Sequence, residues 1–334
     1  MKAFIRNFAV VTTFFLLLTG CGGEGESSSA GAGNSAALES VTFRLAWVHD
    51  MAEVGIFVAK EQGYFEKEGL DVTIEPGGFG LDPIKLVATG TNDYGIGGAG
   101  NLLLARAQGV PLLAIGAEFQ NTPVGFVTLK DSGITSFRDF KGKRVGIQTG
   151  ADTDVLYRAL LAKNTMTSED VKEVPIQYDM GPFVNGGIDV LPAYVTNQPI
   201  TLQSKGFETN VITAASQGLN YYGNVFFTTE KTVKENPEQA ARFMRAVRSG
   251  WKHALANKAD AIAALRKYTQ EFDPKDLEQI YDAVMPFIKP DESGVPLLGM
   301  TLARWENTAE VIRDAGLLKG PLDPATAFTD EFVR

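Results

Sequence analysis

Residues 43–74, FRLAWVHDMAEVGIFVAKEQGYFEKEGLDVTI, switch their apolar period from two to about 3.6 and back, which leaves few folds open. Phe43, Leu45 and Trp47 alternate with Arg44 and Ala46, whereas Val54, Phe57, Val58, Tyr64 and Phe65 recur at helical spacing. Gly63 and Gly69 punctuate the stretch, and Asp71–Ile74 reads as a returning strand. The sum is a βαβ unit whose helix is the crossover that parallel pairing requires. Trp47 then stands at the carboxyl end of the first strand. Ligands of open α/β sheets sit at that edge, so a large aromatic there is a candidate platform.

With 334 residues, 44% of them hydrophobic, the chain is long enough for two cores, and two lobes are expected. Residues 1–20 have a basic start and an apolar run from Phe8 to Leu18, about half the ~20 residues needed to span a bilayer, and they read as a signal peptide. Leu18-Thr19-Gly20-Cys21 resembles the bacterial lipobox, which implies lipidation (palmitate included) at Cys21, the chain's single cysteine. Residues 21–40, rich in Gly, Ser and Ala, read as a flexible tether, so folding starts near Val41. The expected location is the cell membrane, extracytoplasmic side, held by the lipid alone.

The net charge of −9 gives no clustered positive face, and nucleic acid is not an expected partner. Removing the leader leaves 29 basic against 40 acidic residues, a balance that favours solubility. With Cys21 lipidated, the mature chain keeps no free thiol, and it carries no G-x-S-x-G and no H-E-x-x-H; its two histidines, His49 and His253, are far apart. Hence no enzyme, no metal and no cofactor are expected. One motif competes with this reading: Gly95, Gly97 and Gly100 match G-x-G-x-x-G, with Glu118 at the acidic offset of a dinucleotide-binding fold. The motif does not follow the first strand of the unit, and glycines at a tight strand-to-helix turn explain it as well, so an NAD-dependent enzyme is the weaker alternative.

Asp82-Pro83 reads as a helix cap and first helical residue, and Asn101 as a candidate cap beside free backbone donors. VPLLAIGAEF is a buried strand ended by Gln120–Pro123, after which VGFVTLK stays extended and travels to a second lobe. There the logic repeats: a strand Arg144–Gln148, a loop Thr149–Thr153, and a helix with Asp152 and Asp154 at its start. A strand to Tyr178, a short helix over Pro182–Asn185, a strand Ile188–Tyr194 and a helix from Asn197 follow. Tyr178, Asp189, Tyr194 and Asn197 gather at strand ends, an arrangement that suits a flat polar heterocycle by stacking its faces and hydrogen-bonding its edges. VFFTTEKTV leads back to the first lobe, with Tyr222 at the crossing. The tail is helical, with Phe243, Val247, Trp251 and Leu255 as a core stripe and Pro286, Pro290 and Pro296 as breaks.

The blocks LAWVHD, GYFEKEGLDV, GIGGAGNLLLARAQGVPLLAIGA, DSGITSFRDFKGKRVGIQTG, GGIDVLPAYVTNQP and YYGNVFFTTEKTVKENP cover most of residues 43–240. Together they resemble the substrate-binding proteins of ABC importers, in the branch that holds thiamine-pyrimidine, riboflavin, nitrate, taurine and aliphatic-sulfonate binders. The resemblance implies an α/β, two-lobed periplasmic-binding-protein-like fold of type II with two crossover hinge segments. Lobe 1 would take residues 41–123 and 226–334, and lobe 2 residues 124–225. It places the ligand between the lobes, at Trp47, Asn101, Glu118 and Asn121 on the approach to the hinge, Asp152, Tyr178, Tyr194 and Tyr222. Asp189 and Asn197 complete the candidate set.

It also implies delivery of a small molecule by a monomer to an ABC permease and its ATPase. Pyrimidine binders of this branch carry an acidic pair where this chain has Gly100 and Asn101, and many relatives have Glu where this chain has Gln198. A charged aminopyrimidine edge prefers a carboxylate, so a neutral, larger heteroaromatic vitamin, riboflavin, ranks first. The hydroxymethylpyrimidine precursor of thiamine ranks second and a small anion (nitrate, sulfonate, taurine) third.

Overall fold

The computed structural model describes residues 37–334 apart from Phe79 and Tyr178; Cys21, the signal peptide and nearly all of the tether lie outside the described residues. The chain opens with β1 (Glu39–Arg44), α1 (Val54–Glu61), α2 (Tyr64–Lys67), β2 (Leu70–Glu75), α3 (Pro83–Ala88), β3 (Tyr94–Gly98), α4 (Ala99–Ala107) and β4 (Leu112–Ala117). It continues through β5 (Val124–Leu129), β6 (Arg144–Ile147), α5 (Asp152–Lys163), β7 (Lys172–Pro175), α6 (Gly181–Val184), β8 (Leu191–Tyr194), α7 (Gln198–Ser204) and β9 (Thr209–Thr213). After β10 (Asn224–Thr229) come α8 (Glu230–Glu235), α9 (Pro237–Ala256), α10 (Lys258–Leu265), α11 (Pro274–Ile288) and α12 (Leu302–Asp314).

The opening βαβ unit forms as read: β1 and β2 pair in parallel over their full length. Its helix is divided, however, because Gly63 adopts φ 67°, a left-handed conformation that ends α1 and lets α2 restart at a new angle. The first sheet has the order β2-β1-β3-β10-β4, with β10 antiparallel to both neighbours. The second set of strands forms β8-β5-β9 and β6-β7. A parallel bridge from Val145 to Val190, with Gly146 N–H donating to the Val190 carbonyl at 3.0 Å, sets β6 beside the chain that enters β8. Read across, β7-β6-β8-β5-β9 repeats the pattern of the first sheet, with β5 in the place of β10.

The two antiparallel strands are the ones laid down just after the chain changes sheets. The two crossings run side by side: Glu118 N–H donates to the Asn224 carbonyl (3.0 Å), Thr122 N–H to that of Tyr221 (2.9 Å) and Gly223 N–H to that of Phe119 (3.2 Å). This is the two-lobed α/β fold with paired crossovers. Residues 37–334 nevertheless form one compact unit, because α12 packs on both α4 and α5, and α11 on α7.

Phe43, Phe57 and Phe226 are fully buried where α1 and α9 cover the first sheet, and so are Phe243, Val247 and Trp251 of the core stripe expected of α9, whereas Leu255 at its end is partly buried. Phe126, Phe137, Phe140 and Tyr157 fill the second core, and Trp305 of α12 a third between α4 and the crossings.

Several boundaries differ from the sequence reading. Residues 39–40 belong to β1 rather than to the tether, since Glu39 pairs with Leu70 and its carboxylate is held by Arg242 and Gln239 of α9. The strand expected over 188–194 pairs with β5 only from Leu191; before it, Val190 bridges Val145, and Asp189 is gripped by Arg144 through its backbone N–H (2.8 Å) and guanidinium (2.5 Å). α11 runs past Pro286 for two residues instead of breaking there. Among the described residues no helix is long and apolar enough to cross a membrane.

Candidate ligand-binding site

A cavity of about 620 Å³ opens where the carboxyl ends of the parallel strands of both sheets converge, the position that open α/β sheets reserve for ligands. The segment after β1 contributes Trp47, Asp50 and Glu53, and the turn from β3 into α4 contributes Gly97, Gly98 and Asn101. The equivalent positions of the second half supply Gln148 to Thr153 after β6, and Tyr194, Asn197 and Gln198 after β8. Gly78 and residues 80–84 line one side, with Asp82 capping α3 through the N–H of Ile84 at 3.0 Å.

One clasp crosses the seam. Asn101 donates from Nδ2 to Asp152 Oδ1 at 2.8 Å, joining the start of α4 to the start of α5. Gly98 makes this possible: a β-carbon there would overlap the Asp152 carboxylate. Burial raises the Asp152 carboxyl from its ordinary 3.8 to about 6, opposed by the Tyr194 hydroxyl. That hydroxyl also lies 3.3 Å from Asn224 Oδ1 at the second crossing, while Tyr194 N–H donates to Gln198 Oε1 at 2.9 Å. Asn197 precedes α7 and accepts from the Thr201 hydroxyl at 3.2 Å. In the wall between β6 and α5, Thr153 donates to Gln148 Oε1 at 2.9 Å.

Opposite the clasp, three carboxyls meet without a cation. Asp50 accepts from Ala52 N–H at 2.6 Å and so caps the short turn Met51–Glu53. Glu53 is 1% exposed with no partner for Oε2, and Glu118 is 0% exposed with the Asn224 side chain beside it. Burial raises all three; Asp50 and Glu118 push Glu53 further up, and Asn224 offsets part of the rise at Glu118. The described wall of the cavity contains no Lys, Arg or His.

Of the residues singled out in the sequence, Trp47, Asn101, Asp152, Tyr194 and Asn197 line this cavity. Glu118 is sealed behind its wall, next to Glu53. Asn121 is engaged in the hinge, donating to Asp291 at 2.9 Å and accepting from Arg304 at 2.6 Å. Asp189 is bound to Arg144 at the sheet edge, away from the described wall. Tyr222 is buried with its ring 5.6 Å from that of Trp305, and its hydroxyl accepts from Thr301 N–H at 2.8 Å. Tyr178 lies outside the described residues. Gly95 and Gly97 sit within β3 and Gly100 within α4, so the dinucleotide-like spacing forms no phosphate loop. Gln198, singled out through the resemblance as a departure from Glu, also lines the cavity, whereas Asp50, Glu53 and Gln148 were not anticipated; a cap position before the first helix was the one local signal for Asp50.

A model of the NMT1/THI5-like family matches residues 51–261. The chain is 29% identical to riboflavin-binding protein RibY of Chloroflexus aurantiacus over 98% of both chains. It is 24% identical to the formylaminopyrimidine-binding protein of Halalkalibacterium halodurans, covering 89% of this chain and 92% of that one. Other relatives are named as synthases of a pyrimidine phosphate. Among solved structures, the alkanesulfonate-binding protein SsuA of Xanthomonas axonopodis pv. citri bound to MOPS superimposes with a TM-score of 0.67 at 17% identity, over 88% of this chain and 98% of that one. The family match over most of the folded part, and the shared periplasmic-binding-protein fold, make this chain a member of the NMT1/THI5-like family.

Proposed function

We propose that the protein is an extracytoplasmic solute-binding lipoprotein, anchored at Cys21, that captures a flat heteroaromatic vitamin and hands it to an ABC import permease and its ATPase. Riboflavin is the favoured ligand. The observation that carries this reading is the seam cavity itself, with Trp47 on one half and Tyr194 on the other and amide groups of Asn101, Gln148, Asn197 and Gln198 between them. Stacking rings with neutral amide donors and acceptors match a ring system edged by carbonyl and imide groups. The 29% identity to RibY over the whole chain supports the same ligand. In this reading the cavity serves binding rather than turnover, and the protein works as a monomer.

An aminopyrimidine of the thiamine type is the second reading. Asp50 and Asp152 in the wall favour it, because they supply carboxylates that the Gly100-Asn101 segment lacks. A small anion fits least, since the described wall offers no cation.

Tryptophan fluorescence tests the first reading directly. Trp251 and Trp305 are fully buried in the cores, so ligand in the cavity is reported by Trp47. Riboflavin should quench the protein at micromolar concentration, and Trp47→Phe should remove most of the change. No quenching by riboflavin together with micromolar binding of an aminopyrimidine would reverse the order of the two ligands.

A further inference from the structure

The feature that the proposed function leaves unused is the carboxyl cluster at the wall. Asp50 and Glu53 both line the cavity, and Glu118 backs them from the end of β4. Glu53 is 99% buried and one of its oxygens has no partner, although side chains of this kind are almost always matched inside proteins. Asp50 shares a side-chain hydrogen bond with Glu53 and Asn224 one with Glu118, but no cation matches the cluster: the described wall has no Lys, Arg or His, and the described residues hold no group of three His, Cys, Asp or Glu arranged for a metal ion. Unmatched acceptors against a cavity are therefore matched, when the cavity fills, by donors of the ligand.

Resting on the vitamin-binding reading above, we infer that Asp50 and Glu53, backed by Glu118, form an acceptor pole that selects the ligand by its hydroxyl or amino donors and bars anions, including the phosphorylated form of the same heterocycle. The physical basis is twofold. A hydroxyl chain or an amino group donates to a carboxyl in either protonation state, since a protonated carboxyl keeps acceptor capacity. A sulfonate, phosphate or carboxylate brings only acceptors and its own negative charge, so it would have to keep every one of these acids protonated, because a single ionised member in a site of low dielectric repels a second negative charge strongly.

The test uses the purified full chain in detergent and two independent readouts. In titrations, riboflavin should bind at least about 100-fold more tightly than riboflavin 5′-phosphate, lumiflavin (the ring without the hydroxyl chain) should bind at least about tenfold more weakly than riboflavin, and 4-aminopyrimidine should outbind MOPS. Glu53→Gln, which exchanges one acceptor for a donor at constant shape, should narrow the riboflavin to riboflavin 5′-phosphate ratio at least tenfold. A ratio below about threefold in the natural protein, or one unmoved by Glu53→Gln, overturns the pole. If neither flavin nor pyrimidine binds, the vitamin reading fails by itself, and the second readout still decides the pole. In ligand-free protein, Glu53→Gln and Glu118→Gln should each raise the melting temperature by about 2 °C or more, because a mismatched acid is removed. A fall in melting temperature for both would show that the acids are structural and would overturn the inference.

Discussion

The two halves of the molecule repeat one strand pattern, yet they are built to different specifications. The first sheet is continuous over five strands, and its β3 is buried at every residue. The second is interrupted between β6 and β8, and β7 has no fully buried residue. The halves also equip equivalent loops differently: the segment after β1 brings an indole and two acids, whereas the segment after β6 brings a turn with Gln148, Gly150 and Asp152 at a helix start. A duplicated scaffold thus leaves the loops at strand ends free to diverge. The first half holds three of the carboxyls that burial raises, Asp50, Glu53 and Glu118, and the second half holds Asp152.

The largest effect that would strain this comparison comes from the cores. Trp251→Ala in the first half and Phe126→Ala in the second each remove a fully buried ring and should cost about 3–5 kcal/mol. Because α12 bridges the halves, both variants should shift one common unfolding transition in calorimetry; two separated transitions would show that the halves are independent. Next in size is Arg304→Ala. Its guanidinium holds Asp291 (3.0 Å) and Glu292 (2.8 Å) and donates to the Gln120 carbonyl (2.7 Å) in the first crossing. The partner acids are partly exposed, so a loss of about 1–3 kcal/mol is expected from chemical denaturation, discounted from the figure for a fully buried pair.

Gly98→Ala sharpens the comparison at the seam. The new methyl overlaps the carboxylate end of Asp152, which can rotate away, so stability should fall by about 1 kcal/mol or less while ligand affinity drops about tenfold. A loss of stability without a loss of affinity would show that the Asn101–Asp152 clasp does not shape the cavity.

The smallest effect is a pH slope. Asp152 keeps its proton up to about pH 6 in the folded chain, against an ordinary 3.8. Between those values the native state binds more protons than the unfolded state, so stability decreases as pH rises through the window and is level above it. For a side chain with partial exposure the change is about 1 kcal/mol, and Asp152→Asn should remove that share of the slope in denaturation curves from pH 4 to pH 7. Glu53 and Glu118, raised in the same sense, leave a residual slope of the same sign.

Much of the fold could be read from local pattern. The period change around His49, the Asp82-Pro83 cap and the α9 stripe each became the element they indicated. Strand ends next to ion pairs were less legible: Arg144 and Asp189 lie well apart in sequence, and their pairing fixes the approach to β8 against the start of β6. At the site, Trp47 and Tyr194 were visible as aromatics at strand ends. Tyr222 had the same local signature but lies against Trp305, because α12 returns from the far end of the chain to cover it.

Amino-acid order alone determined the alternation of strand and helix, the caps and the doubled βαβ plan, because backbone preference and apolar period act over a few residues. Which carboxyls meet was decided by tertiary structure. Asp50 and Glu53 are neighbours in sequence, but Glu118 reaches them only because β4 lies at the far side of a sheet whose fourth strand, β10, arrives after a second crossing. Asp152 reaches Asn101 only because the second half closes against the first. Burial and electrostatic coupling depend on distance through space, and the sheet order sets that distance.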